Sequence, residues 1–192
     1  MYPYIKFFQP EEIGYTADMR KSLLDLVNQP ERGYSNYISP EGQKIELEFC
    51  LLYEHDSTIL DEPEIIKIMR GLIQPHITIQ VAGYIRFLPG AYTIPHVDDY
   101  LRRTTVLTFP LTPEPKWFAP TIFYKQNETK PDKIIYWNGL PGLLNTRETH
   151  AVYNNKHTRQ TFQICFSESF AEVVDLYGRG KLFTSQLKGN CP

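Results

Sequence analysis

The sequence predicts a mainly β protein with supporting helices, and three observations carry that expectation. From residue 76 to 168 the chain breaks into short β-branched and aromatic runs divided by Pro, Gly and Asn, the texture of a sandwich or barrel. Helical spacing of apolar residues gathers ahead of that region. At 192 residues, 42% hydrophobic and 14% aromatic, the chain can bury one core of ordinary size and nothing demands a second. The expected layout is one domain: 1–75 as helical N-terminal support, 76–168 as β-core and 169–192 as a C-terminal tail or helix.

The elements follow in order. Met19, Leu23 and Leu26 lie at helical spacing between Glu11 and Asn28, and Pro30 stops propagation. The tyrosine-rich stretch ERGYSNYISPEGQ reads as loop, and the run IELEFCLLY at 45–53 as a strand, though it is short enough for helix as well. Asp61 with Glu64 three positions on resembles a capping arrangement. Ile65, Ile68, Met69 and Leu72 follow on one helical face. Beyond Pro75 come HITIQVAGYIRFL, TTVLTFPL, TIFYK, KIIYW, GLLN, HAVYN and QTFQICFSE as strands, then SFAEVVDLYGRGKLF as a terminal helix or packed tail. The loops around 30–44 and 112–120 are candidates for covering a site.

Charge and targeting signals narrow the partners. Twenty basic and 22 acidic residues leave a net charge of −2, with no basic run to follow a phosphate backbone, so nucleic acid is not the expected partner. Cys50, Cys165 and Cys191 lack CxxC spacing and cannot all pair, which suits a reducing compartment. The N-terminus has no basic region leading into an apolar stretch, and no run approaches the roughly 20 apolar residues that cross a bilayer. The expectation is a soluble, cytoplasmic protein without a membrane partner.

The chemistry centres on TIPHVDDY, where His96 and Asp98 are two residues apart. On a strand both side chains point the same way, roughly 6 to 7 Å apart at Cα, so they can share one ion. His150, from a neighbouring strand, would complete a 2-His-1-carboxylate face of the kind that holds non-haem Fe(II) and leaves positions open for substrate and O2. In a chain with five His and 22 acidic residues His-x-Asp also arises by accident. Arg159, nine residues after His150, raises the odds, because a guanidinium never loses its charge and grips a carboxylate with two parallel hydrogen bonds.

From about Tyr84 to Phe166, through RFLPG, PHVDD, RRTTVLTFPL, PTIFY, PGLLNTRETHAV and the Arg159 strand, the chain resembles the 2-oxoglutarate/Fe(II)-dependent oxygenase superfamily, particularly its prolyl-hydroxylase-like and aspartyl-hydroxylase-like members. The resemblance implies a double-stranded β-helix, a form of jelly roll, with the metal inside its open mouth. It implies that His96, Asp98 and His150 are the catalytic Fe(II) ligands. Arg159 then holds the far carboxylate of 2-oxoglutarate, whose keto acid end chelates the metal. Thr108, Tyr124 and Thr161 are further candidates for the co-substrate, and Asn154 for tying down the loop after His150. Where prolyl hydroxylases often carry a tyrosine before their Pro-Gly turn, Leu88 precedes Pro89 and Gly90.

The implied reaction is hydroxylation of an unactivated C–H bond in a small molecule, an amino acid or a peptidyl residue, consuming O2 and 2-oxoglutarate. Related halogenases leave the carboxylate position empty for chloride, and Asp98 fills it. Arg102 and Arg103 are candidates to meet an acidic group of substrate or co-substrate, with a solvated turn as the equal alternative. His55, His76, His157 and Asp99 read as surface residues, Tyr84, Trp137 and Tyr153 as packing, and Cys165 as a small buried residue. Two rival readings keep the triad: a zinc hydrolase, which leaves Arg159 without a task, and a non-catalytic cupin-like module that binds a ligand.

Overall fold

In the computed structural model, which describes residues 4–28, 35–38, 44–55, 63–98, 103–112, 120–125, 129–154 and 156–188, the chain enters through a short strand, β1 (Ile5–Phe7). The helix expected between Glu11 and Asn28 is two helices, α1 (Pro10–Ile13) and α2 (Ala17–Val27). Gly14 separates them: it closes α1 in the left-handed region at φ 72°, where a side chain would be strained. Thr16 then starts α2, its Oγ1 accepting from the Met19 N–H at 3.1 Å.

Besides β1, two more strands lie inside the first 75 residues. These are β2 (Ser35–Ile38), within the stretch read as loop, and β3 (Lys44–Glu54). Both join the large sheet, as does β1. The reason is non-local: β3 pairs antiparallel along β4 (Ile79–Phe87), with Leu47 opposite Phe87 and Cys50 opposite Tyr84. The next helix, α3 (Pro63–Leu72), buries Ile65, Ile68, Met69 and Leu72 as its spacing requires. Asp61 and most of both expected covering loops lie outside the described residues.

The remaining strands fall where the apolar runs place them: β5 (Thr105–Pro110), β6 (Pro120–Tyr124), β7 (Pro131–Tyr136), β8 (Gly142–Asn145), β9 (His150–Val152) and β10 (Arg159–Phe166). Two short helices end the described chain, α4 (Phe170–Gly178), opened by a Ser169–Glu172 capping box, and α5 (Ser185–Lys188). The strands form a seven-stranded sheet in the order β1-β8-β5-β10-β4-β3-β2 and a three-stranded sheet in the order β7-β6-β9.

Strand alternation assigns the two faces of the large sheet. Phe162, Ile164 and Phe166 of β10, with Tyr84 of β4, Phe109 of β5 and Leu143 of β8, pack into one buried cluster with Leu23 of α2, Ile65 and Met69 of α3 and Val173 of α4. The helices therefore cover this face. Tyr84 also donates its hydroxyl to the Leu23 carbonyl at 2.8 Å, pinning α2 to the sheet. The alternate residues of β10, namely Arg159, Thr161, Gln163 and Cys165, lie on the opposite face, toward the small sheet. Among the described residues no helix is long and apolar enough to cross a membrane.

Candidate metal centre

His96 and Asp98 do not sit on a regular strand. Pro95 has no N–H to give a ladder and sits at a bend, and residues 91–98 are joined to their neighbours by isolated bridges from Tyr92 to Tyr153 and from His96 to His150. The side chains of His96 and Asp98 still meet. Asp98 donates its N–H to the Thr146 carbonyl at 3.0 Å, so both ends of the segment are held.

The three side chains meet. His96 Nε2 lies 3.3 Å from Asp98 Oδ1, and the ligand atoms of His96, Asp98 and His150 all fall within 4.8 Å of one another. The two imidazole rings are 4.5 Å apart at their centroids. Each ring is oriented by the chain itself: His96 Nδ1 pairs with the Ile94 carbonyl at 2.7 Å and His150 Nδ1 with the Glu148 carbonyl at 2.9 Å. A carbonyl only accepts, so Nδ1 carries a proton, and once Nε2 is deprotonated its lone pair is the one left for a metal. Two such nitrogens and one carboxylate fit a divalent transition metal with coordination positions to spare.

The electrostatics follow from burial and mutual contact. For Asp98, burial pushes the carboxyl up but is outweighed by the His96 hydrogen bond and by the charges of His150, His96 and Arg103, so its pKa is lowered. For His96, burial pushes down but is outweighed by the hydrogen bond and charge of Asp98 and by the Ile94 carbonyl, so its pKa is raised. For His150, only 4% exposed, burial prevails over Asp98 and the pKa is lowered.

Arg159 opens β10 and is only 3% exposed, with its guanidinium carbon 5.4 Å from the rings of both Phe87 and Trp137. Trp137 belongs to a cluster with Phe123, whose ring lies 6.0 Å from that of His150. Arg159 and the triad thus share the space between the two sheets. Thr161 follows on the same face, 1% exposed, and its buried Oγ1 has no hydrogen-bond partner among the described residues. Thr108 of β5 stands opposite Gln163 and accepts from its Nε2 at 3.3 Å. Tyr124 is placed differently, with its hydroxyl near enough to Tyr153 for its pKa to be raised, after the effect of burial. Arg103 is near enough to act electrostatically on Asp98, while Arg102 lies outside the described residues.

Sequence reasoning passed over several contributors. Phe87 and Trp137 wall in Arg159, and strand alternation from Arg159 would have reached Gln163. The carbonyls of Ile94 and Glu148 carry no residue-type signal at all. Asn154 does tie the loop after β9: its Nδ2 donates to the carbonyls of Phe87, Leu88 and His157 at 3.1, 2.7 and 2.8 Å.

Helices over one face of the large sheet, a small sheet facing the other and a His-Asp-His group between them define a double-stranded β-helix with a candidate mononuclear metal centre. No family model and no curated protein matches the sequence. Among solved structures, OsALKBH1 is similar at TM-score 0.56 and 12% identity over 86% of this chain and 99% of that one. An oxidoreductase of the 2OG-Fe(II) oxygenase family from Burkholderia pseudomallei is similar at TM-score 0.50 and 11% identity over 77% of this chain and 78% of that one. The fold is therefore the jelly roll of 2OG-Fe(II) oxygenase structures, as the resemblance in the sequence implied.

Proposed function

We propose that this protein is an Fe(II)- and 2-oxoglutarate-dependent dioxygenase that hydroxylates an unactivated C–H bond of a small molecule, amino acid or peptidyl residue. The observation that carries the reading is the convergence of His96, Asp98 and His150 within 4.8 Å, with the Nδ1 of both imidazoles tied to a backbone carbonyl so that Nε2 is the atom left for a metal. Bound Fe(II) supplies O2 activation coupled to decarboxylation of 2-oxoglutarate to succinate and CO2.

The chain's own residues have distinct tasks in this reading. His96 and His150 offer neutral nitrogens, and Asp98 offers one negative charge, which leaves a bound divalent ion net positive toward an anionic co-substrate. Asp98 occupies the position that a halide would need, which favours hydroxylation. Arg159 anchors the carboxylate of 2-oxoglutarate remote from the metal. Phe87 and Trp137 beside it exclude water and so strengthen that ion pair. Thr161 offers a hydroxyl to the same carboxylate, and Thr108 is the less direct candidate because Gln163 already bonds it. The buried side chains of Cys50 and Cys165 suit a reducing cytoplasm.

The test is anaerobic addition of Fe(II) and 2-oxoglutarate to the full chain. A weak visible metal-to-ligand charge-transfer band is expected, followed on admitting O2 by succinate. Tight Zn(II) binding with no response to 2-oxoglutarate would replace this reading with a hydrolase or a ligand-binding module.

A further inference from the structure

Where α2 begins, beside the end of β5 and the turn from β7 to β8, lies an open cleft of about 420 Å³ that none of the metal ligands lines, nor Arg159. Tyr15, Ala17 and Arg20 form one side, Thr112 another and Asn138 the third. These residues share a capacity to donate. Ala17 opens α2, and its N–H and that of Asp18 have no acceptor within the helix, whereas Thr16 caps Met19. That end also carries the positive pole of the helix dipole. Arg20, half-buried, gives one nitrogen to the Leu111 carbonyl and forms no ion pair with a carboxylate among the described residues. Thr112 Oγ1 accepts the Gln160 N–H at 3.2 Å, so its own proton is left to give. Asn138 accepts the Leu140 N–H through Oδ1 at 3.2 Å, which leaves its Nδ2. Among the described residues no carboxylate lines the cleft; Asp18 is exposed and outside it.

Tyr15 adds an independent observation. It is only 9% exposed, its ring lies 4.8 Å from that of Phe109, and its hydroxyl has no hydrogen-bond partner among the described residues. The charge of Arg20 reaches that hydroxyl. A buried hydroxyl without an acceptor is costly, and an anion held between Arg20 and the helix end supplies one.

We infer that this cleft binds phosphate, free or carried by a small molecule, with Arg20, the first N–H groups of α2 and the Tyr15 hydroxyl donating from one side and Thr112 and Asn138 from the others. Donors drawn from three parts of the chain suit a tetrahedral oxyanion better than a planar carboxylate, whose acceptors lie along one edge. The volume is on the order of a small-ligand pocket, roughly 300 to 1,000 Å³, and Pro10, Pro110 and Pro141 offer an organic remainder an apolar wall. The site goes beyond the oxygenase reading and shares no residue with it.

The test is calorimetric titration of the full, metal-free chain at fixed ionic strength. The probes are inorganic phosphate, glycerol phosphate and phenyl phosphate, beside glycerol, phenol and benzoate. The phosphates should bind where the other three do not. Esters that bind about tenfold tighter than inorganic phosphate assign the site to a phosphorylated small molecule, and equal affinities assign it to the free ion. Arg20→Gln should weaken binding about tenfold or more. Tyr15→Phe should weaken it about threefold or more while leaving the melting temperature of the ligand-free chain unchanged or higher, because the oxygen it removes has no partner. Lys21→Gln, which removes an exposed charge from the same helix, should leave phosphate affinity as it is. A far-ultraviolet spectrum like that of wild type establishes folding, and Tyr15→Phe decides the matter if Arg20→Gln fails to fold. No binding of any phosphate, benzoate as effective as phenyl phosphate, unchanged affinity in the folded Arg20 and Tyr15 variants, or loss confined to Arg159→Gln would overturn the inference.

Discussion

His96 and His150 hold one another through their backbones: the N–H of His96 donates to the His150 carbonyl at 2.9 Å, and the N–H of His150 donates back at 2.8 Å. The spacing of the two imidazoles is therefore a property of the chain, independent of the rings. His96→Ala and His150→Ala should keep the fold and lose the metal. The loss of affinity should exceed the roughly 10- to 100-fold cost of removing an outer-shell partner. Mn(II) or Fe(II) titration with circular dichroism checks both, and retained affinity in either variant would mean that the ring is no ligand.

Arg159→Gln should raise the dissociation constant for 2-oxoglutarate about tenfold or more while sparing the metal, since a charged hydrogen bond contributes roughly 1.5 to 3 kcal/mol. Arg159→Lys should fall between, because lysine lacks the planar fork. Calorimetric titration of 2-oxoglutarate decides it, and an unchanged constant would remove Arg159 from the site.

Asn154→Ala should act on the co-substrate at a distance. Its Nδ2 serves three carbonyls, and that of His157 lies two residues before Arg159. Losing those bonds should cost about 1 to 3 kcal/mol of stability and weaken 2-oxoglutarate more than metal. Chemical denaturation and the two titrations measure this; equal losses for metal and co-substrate would point to general loosening instead.

Metal affinity should rise with pH. Without metal, Asp98 holds the His96 pKa above 6.5, so the proton must leave before Nε2 can bind an ion. The sign is that of competition: acid keeps His96 charged and opposes the metal, alkali frees it. The metal-induced increase in melting temperature should therefore grow between about pH 6 and pH 8. A shift that is flat or falls over that range would contradict the His96–Asp98 contact.

Cys165 should be inert in the native protein. Burial pushes its thiol up to about 12, leaving almost no thiolate near neutral pH. Iodoacetamide should label it only after denaturation, as peptide mass mapping would reveal, and rapid native labelling would place it at an open surface.

The β-core was legible because turn formers punctuate it: every run from TTVLTFPL to QTFQICFSE became a strand at nearly the expected place. The face of Arg159 was also readable, since alternation ties it to Thr161 and separates it from Phe162. The break at Gly14 was less so, because Met19, Leu23 and Leu26 all lie beyond it and their spacing carries no information about the residues before it. The strand β3 was ambiguous alone, for an apolar run of its length satisfies either period.

What the sequence determined by itself was local: which residues are apolar, which turn, and which side chains bear nitrogen or carboxylate chemistry in order along the chain. Tertiary structure decided the rest. Only the pairing of β3 with β4 made it a strand of the large sheet, and only the bridge to His150 held the Pro95-interrupted segment so that Asp98 faces two imidazoles. The carbonyls of Ile94 and Glu148 that set the tautomers belong to every residue type, so their roles arise from position. Backbone groups are chemically alike, and it is the fold that distinguishes them.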